Sequence, residues 1–237
     1  MILLIIIILI ATLAVGYWLF MSSYSQVFGE YTWHGDRSRK QIALTFDDGP
    51  NKPYTQQILK ILEKNNIKAT FFMVGSCVER DPDTAIKVRE NGHVIGNHSY
   101  SHKFSNYLVS LKMDDEIKKC QDTIKKHLGV VPALYRPPWL FRHPIMLKNL
   151  KDNKLFPVSG QFCHSFEVAH INGKKIADHV IKIARNGSII IFHDGKEAEG
   201  GERPETVKAL PLIIAELKKQ GFSFVTVPEL LDIEAYN

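Results

Sequence analysis

Ile42-Ala43-Leu44-Thr45-Phe46-Asp47-Asp48-Gly49-Pro50 is an apolar run that ends abruptly in two carboxylates and a turn. A short run of this kind, bounded by turn formers, reads as a buried strand. Ile58, Leu59, Ile61 and Leu62 follow at helical spacing. A strand that is apolar throughout, followed by an amphipathic helix, is the opening unit of a parallel sheet covered by helices.

Working outward, the alternation repeats. Residues 70–74 are strand-like, 82–91 helix-like with Gly92 as a stop, and Val94-Ile95 a short strand. Between Lys112 and His127 the acids Asp114, Asp115 and Glu116 lead and Lys125, Lys126 and His127 trail before Gly129, the order a helix dipole prefers. Further strands are expected at 133–135, 156–159, 188–192 and 222–225, separated by helices at 144–151, 174–185 and 206–219. The count is about seven β/α units, compatible with an open doubly wound sheet or a closed barrel.

At 237 residues the chain suits one catalytic domain plus appendages. From Ile2 to Phe20 no residue carries a charge, and at ~1.5 Å per residue this stretch roughly spans a hydrocarbon core. A cleaved secretory signal is the alternative, but the basic start is missing and Tyr17, Trp18 and Phe20 continue the apolar run like interfacial anchors. The expected organisation is a transmembrane anchor over residues 1–21, a polar linker over 22–39 and a catalytic domain over 40–237. Arg37, Arg39 and Lys40 follow the span, so charge counting does not favour an external domain; that placement follows from the expected substrate.

The net charge of +5 comes from scattered lysines without a basic run, which argues against nucleic acid as a partner and permits attraction to an anionic membrane or wall surface. Cys77, Cys120 and Cys163 lie far apart and form no C-x-x-C pair. They read as buried thiols, with one disulfide as the alternative.

Four stretches carry chemistry, and each follows an expected strand at its carboxyl end, the edge where α/β folds bind ligands. Asp47-Asp48-Gly49-Pro50 offers two carboxylates, though Asp-Gly-Pro is also ordinary turn chemistry. His98 and His102 are spaced to meet on one face of a helical turn. With a carboxylate they complete a two-histidine, one-aspartate set that leaves positions open for water and substrate. His193, after the apolar Ile189-Ile190-Ile191-Phe192, is a candidate acid or base. Arg136-Pro137-Pro138-Trp139 follows Tyr135, and its prolines would hold a guanidinium and an indole at the site mouth, with Tyr135, Pro138 and Trp139 as candidate substrate contacts.

Together TFDDGP (45–50), HSYSH (98–102), RPPW (136–139) and IIFHD (190–194) resemble the polysaccharide deacetylase family, the NodB homology domain or carbohydrate esterase family four. The resemblance runs from about Lys40 to Leu231, with the motifs in family order. It implies a distorted seven-stranded (β/α) barrel and one divalent metal held by Asp48, His98 and His102. Zinc is the expected ion, with cobalt, manganese, nickel or iron as alternatives. It makes Asp47 the general base, His193 the general acid and Arg136 the group that steers the base. Neighbours on a strand point opposite ways, so spacing alone does not choose between Asp47 and Asp48.

One stretch departs from the family. Its fourth motif usually carries an Asp-Trp pair, where this chain has Gln161-Phe162-Cys163-His164-Ser165-Phe166-Glu167-Val168. No tryptophan is present, and Glu167 is the candidate replacement for the aspartate that tunes the catalytic histidine. The expected reaction is removal of N-acetyl groups from N-acetylglucosamine-type residues of a cell-envelope or extracellular polysaccharide. The oxyanion would be held by the metal and a backbone N–H near the end of the Tyr135 strand. Competing readings are an O-acetyl polysaccharide esterase of the same fold, an iron(II) oxygenase, which the α/β pattern disfavours, and an inactive carbohydrate-binding homologue. The expected setting is a single-pass protein of the cell membrane with an extracytoplasmic domain.

Overall fold

The computed structural model describes residues 1–165, 167–169 and 171–237. Phe166, within the altered fourth motif, lies outside the described residues. In chain order the elements are α1 (Ile2–Met21), β1 (Gln41–Asp47), α2 (Tyr54–Lys64), β2 (Thr70–Met73), α3 (Gly75–Arg80), α4 (Pro82–Glu90), β3 (Val94–Asn97), α5 (Ser110–Leu128), β4 (Leu134–Tyr135), α6 (Met146–Asp152), β5 (Phe156–Pro157), β6 (Gln161–Phe162), α7 (Gly173–Ile183), β7 (Ser188–His193), α8 (Pro204–Lys219), β8 (Ser223–Val225) and α9 (Val227–Leu231). Short 3₁₀ turns cover Phe104–Tyr107 and Pro138–Leu140.

All strand pairs are parallel. Seven strands run in the order β5-β4-β3-β2-β1-β7-β6, and β8 lies beside the first residues of β1. This curled sheet is the distorted seven-stranded barrel that the family resemblance implies; the strand and helix pattern alone also allowed an open doubly wound sheet. Its uniformly apolar strands follow from burial on both faces. Ile42, Leu44 and Phe46 of β1 face the helices, in one cluster with Phe71, Ile190 and Phe192. Ala43 turns the other way, into a cluster with Phe72, Leu134, Val158 and Ile189 inside the curl. Period-two alternation then sends Thr45 and Asp47 inward as well.

Among the described residues β5 and β6 do not pair, and the seam between them is closed by the stretch expected to be a linker. Thr32 bridges Val158, with Thr32 N donating to the Pro157 carbonyl at 3.2 Å and Ser159 N to the Thr32 carbonyl at 2.7 Å. His34 bridges Ser188 on the far side. Residues 22–39 are therefore seated on the barrel, and Tyr31 is fully buried. Their lack of hydrophobic period reflects irregular backbone filling a gap.

The helix over 110–128 begins earlier than its acids suggest: no acidic residue lies in its first turn. Its C-terminal end does follow the expected chemistry. Lys125, Lys126 and His127 occupy the last turn, and Gly129 caps it at φ +68° with its N–H on the Lys125 carbonyl. Cys77, Cys120 and Cys163 are all buried free thiols.

α1 is apolar on every side, contains no buried residue and has a mean hydropathy of 2.8. It is long and apolar enough to cross a membrane.

Candidate active site

The carboxyl ends of β1, β3, β4 and β7 meet at one cavity of about 310 Å³. Its wall includes Asp47, Asp48, His98, His102, Trp139 and His193. Adjacent aspartates line the same wall because the strand ends between them. Asp47 is the last residue of β1, and Asp48 adopts a left-handed φ of +75°, turning its carboxylate back toward the cavity. Gly49 is required beside them: a Cβ there would meet Asp194 Oδ2 at 2.1 Å.

His98 and His102 do not share a helical turn. They bracket a bend after β3 in which Ser99 and His102 have φ of +66° and +53°. The bend is braced on every side. Asn97 Oδ1 accepts from Ser99 N at 2.9 Å, Ser99 Oγ accepts from His102 N at 3.2 Å, and Glu116 of α5 accepts from Ser101 N and Oγ at 2.6 and 2.8 Å. The first amides of α3, from Gly75 and Ser76, donate to the Ser99 and Tyr100 carbonyls, both at 2.9 Å.

Asp48 Oδ1 lies 3.4 Å from His98 Nε2 and 3.2 Å from His102 Nε2. One ligand atom from each residue falls within 4.8 Å of the others, and all three side chains are buried. Asp48 Oδ1 and His102 Nδ1 have no hydrogen-bond partner. His98 Nδ1 is 2.7 Å from the Arg136 carbonyl. An N–H donated there leaves the Nε2 lone pair facing Asp48, the tautomer a metal ligand needs. Burial alone would raise the Asp48 pKa, but His102, His98 and His193 together hold it well below the usual carboxylate range. The donor set fits one divalent cation.

Two buried ion pairs flank this set. Arg136, fully buried, donates from Nη1 to Asp47 Oδ1 and to Thr45 Oγ1, both at 2.7 Å, and from Nη2 to the Ser159 carbonyl at 3.0 Å. Its guanidinium stacks over Phe72, 4.1 Å from the ring centroid. On the other side, Glu167 Oε2 accepts from His193 Nδ1 at 2.7 Å, while its Oε1 accepts from His193 N and Thr206 Oγ1 at 3.1 and 2.7 Å. Burial pushes the His193 pKa down, but the Glu167 carboxylate outweighs it, with help from Asp48 and Asp47, and carries it up to about 9.

Phe162, from the altered fourth motif, lines the cavity and stacks on His193 with 6.4 Å between centroids and 8° between planes. Trp139 is held at φ +53° with its ring 4.3 Å from that of His102. Tyr135 and Pro138, expected beside it, are absent from the cavity wall. Tyr135 turns to the helix side of the sheet, fully buried in one cluster with Met113, Ile117 and Met146, with its hydroxyl 3.4 Å from that of Tyr107; Pro138 is buried within the turn. Pro137 and Leu140 line the mouth instead. The Arg136 N–H, after the Tyr135 strand, already donates to the Asn97 carbonyl at 3.0 Å. Sequence reasoning missed Tyr17, on the rim, and Glu116, whose only signal was its place in a charge-patterned helix.

A family model described as Polysaccharide deacetylase matches residues 34–156. The chain is 37% identical over 204 residues to a peptidoglycan-N-acetylglucosamine deacetylase of Bacillus cereus, covering 86% of this chain and 93% of that one. It is 35% identical over 200 residues to peptidoglycan-N-acetylmuramic acid deacetylase PdaC of Bacillus subtilis, covering 84% of this chain and 40% of that one. The crystal structure of the Bc1960 peptidoglycan N-acetylglucosamine deacetylase superposes with a TM-score of 0.82 at 30% identity, covering 87% of this chain and 95% of that one. The matching fold, the buried Asp-His-His group and these relatives agree, and the chain belongs to the polysaccharide deacetylase family.

Proposed function

We propose that the protein removes N-acetyl groups from N-acetylglucosamine-type residues of a cell-envelope polysaccharide, peptidoglycan foremost, using a zinc ion held by Asp48, His98 and His102. The observation that carries this reading is the pairing of that buried ligand set with two ion-paired groups on one cavity: Asp47 held by Arg136, and His193 held by Glu167. The relatives named for peptidoglycan sugars supply the polymer.

When bound, a divalent ion polarises a carbonyl and makes water acidic enough to attack near neutral pH. Asp47, fixed by Arg136, is placed to take the proton that the water gives up. His193, protonated by its pairing with Glu167, donates to the nitrogen of the leaving amine. Phe162 and Trp139 supply apolar walls suited to an acetyl methyl.

The domain so described occupies residues 40–237, with 22–39 as an integral cover of its seam and 1–21 as a single-pass membrane anchor. The catalytic domain lies outside the cytoplasm, where the polymer is.

Acetate release from peptidoglycan fragments and N-acetylglucosamine oligomers, with and without chelator, tests the reading. An acetylated xylan separates N- from O-deacetylation. Activity on the amino sugars that chelation abolishes and zinc restores is the expected result; chelator-resistant release, or release from xylan alone, overturns it.

A further inference from the structure

The end of α1 and the mouth of the active site are one surface. Tyr17 lies on the cavity rim, about 6 Å along the helix axis from the last helical residue. The chain does not swing free after the helix. Arg142 N donates to the Phe20 carbonyl at 2.7 Å, and the Arg142 guanidinium, fully buried, donates to the Ser22, Ser23 and Leu140 carbonyls. The loop that carries Trp139 and Leu140 is thereby bonded to the root of the anchor.

Rings continue the contact outward. Phe20 stacks on Phe141 at 6.0 Å, Phe141 meets Phe104 at 5.4 Å, and Phe104 meets Trp139 at 5.2 Å. Beyond Phe104 the surface stays apolar and exposed at Leu108, Val109 and Leu111, the last at 78% exposure, and at Ile145. Exposed Lys103 and Lys112 bracket the stretch. Large exposed apolar side chains gathered beside a spanning helix, with aromatic and basic residues at the edge, have the chemistry of a membrane-seated face.

We propose that this collar, Phe104, Leu108, Val109 and Leu111 with Ile145, seats on the surface of the bilayer that α1 crosses. The cleft then opens at headgroup depth and takes N-acetylated sugars carried by a lipid. The lipid-carried substrate rests on the deacetylase reading above; the seat itself does not. Because the anchor has no free tether, a cleft whose rim includes Tyr17 meets sugars held beside the bilayer before those farther out.

The test uses the full chain in phosphatidylcholine–phosphatidylglycerol vesicles. A nitroxide on Leu111→Cys is expected to report lipid by its accessibility to oxygen over an aqueous nickel complex. A water-exposed label, or dipolar broadening between labels showing that a second copy covers the collar, overturns the seat. In parallel, kcat/KM is compared for an N-acetylglucosamine tetramer attached to a phospholipid headgroup and for the same tetramer free. The expected preference for the lipid-attached form is about tenfold or more, as surface confinement raises effective concentration. The Leu108→Glu/Leu111→Glu variant should lose that preference while keeping its rate on the free tetramer. Equal rates on both forms overturn the substrate class. If neither tetramer releases acetate, the deacetylase reading fails instead, and the label still decides the seat.

Discussion

His193 works under two opposed influences, burial and the Glu167 carboxylate, and the second prevails. If its protonated form is the acid, activity holds below its pKa and declines as pH rises through about 9. Glu167→Gln removes the largest upward influence and leaves burial, so the alkaline limb of kcat/KM should fall by at least about 1 pH unit. An unmoved limb would assign it to another group. Asp47→Asn should leave metal content intact and lower kcat by about 10²–10⁴, the range for removal of a general base. His98→Ala or His102→Ala should lose metal and turnover together, read by elemental analysis beside acetate release. The motif residues themselves were legible in the sequence. Which aspartate joins the two histidines was not, because that depends on one backbone angle: the left-handed turn at Asp48 that cancels the strand alternation.

Elements were easiest to read where burial enforces a period. β1, β2, β3 and β7, and the helices that cover them, fall where apolar patterning put them, since their side chains join one core. What escaped was structure held by polar contacts. The bend 98–102 looks like a helical turn by spacing, yet its hydrogen bonds run to Asn97, Glu116 and the start of α3, itself a short helix without a clear stripe. Such second-layer partners orient ligands, so Glu116→Ala should weaken metal affinity by about 10–100-fold. Calorimetric titration of the metal-free protein would measure it; an unchanged affinity would mean that the bend holds without α5. The fourth motif was legible only as a departure. Glu167 reaches His193 from the 3₁₀ turn Glu167–Ala169, and Phe162 stacks on the same imidazole.

At the scale of the whole molecule, the seating of residues 22–39 was the least readable feature, because they have no period and are fixed by backbone pairing and one arginine. A chain starting at residue 40 would leave the seam beside Val158 open. It would also strip Arg142 of its contacts to Ser22 and Ser23, leaving a buried cation without those acceptors. It should unfold at a midpoint lower by about 5 °C or more than a chain starting at residue 19, the consequence of a loss of at least about 2 kcal/mol. Thermal unfolding followed by circular dichroism would show it, and coincident curves would make the segment dispensable. The same seam bears on biosynthesis. Thr32 and His34 are made soon after α1, whereas their partners Val158 and Ser188 belong to the chain's later half. Contacts of such separation close slowly. The barrel therefore stays unsealed until synthesis has passed Val158 and Ser188, and the early segment waits without its partners while most of the sheet is made.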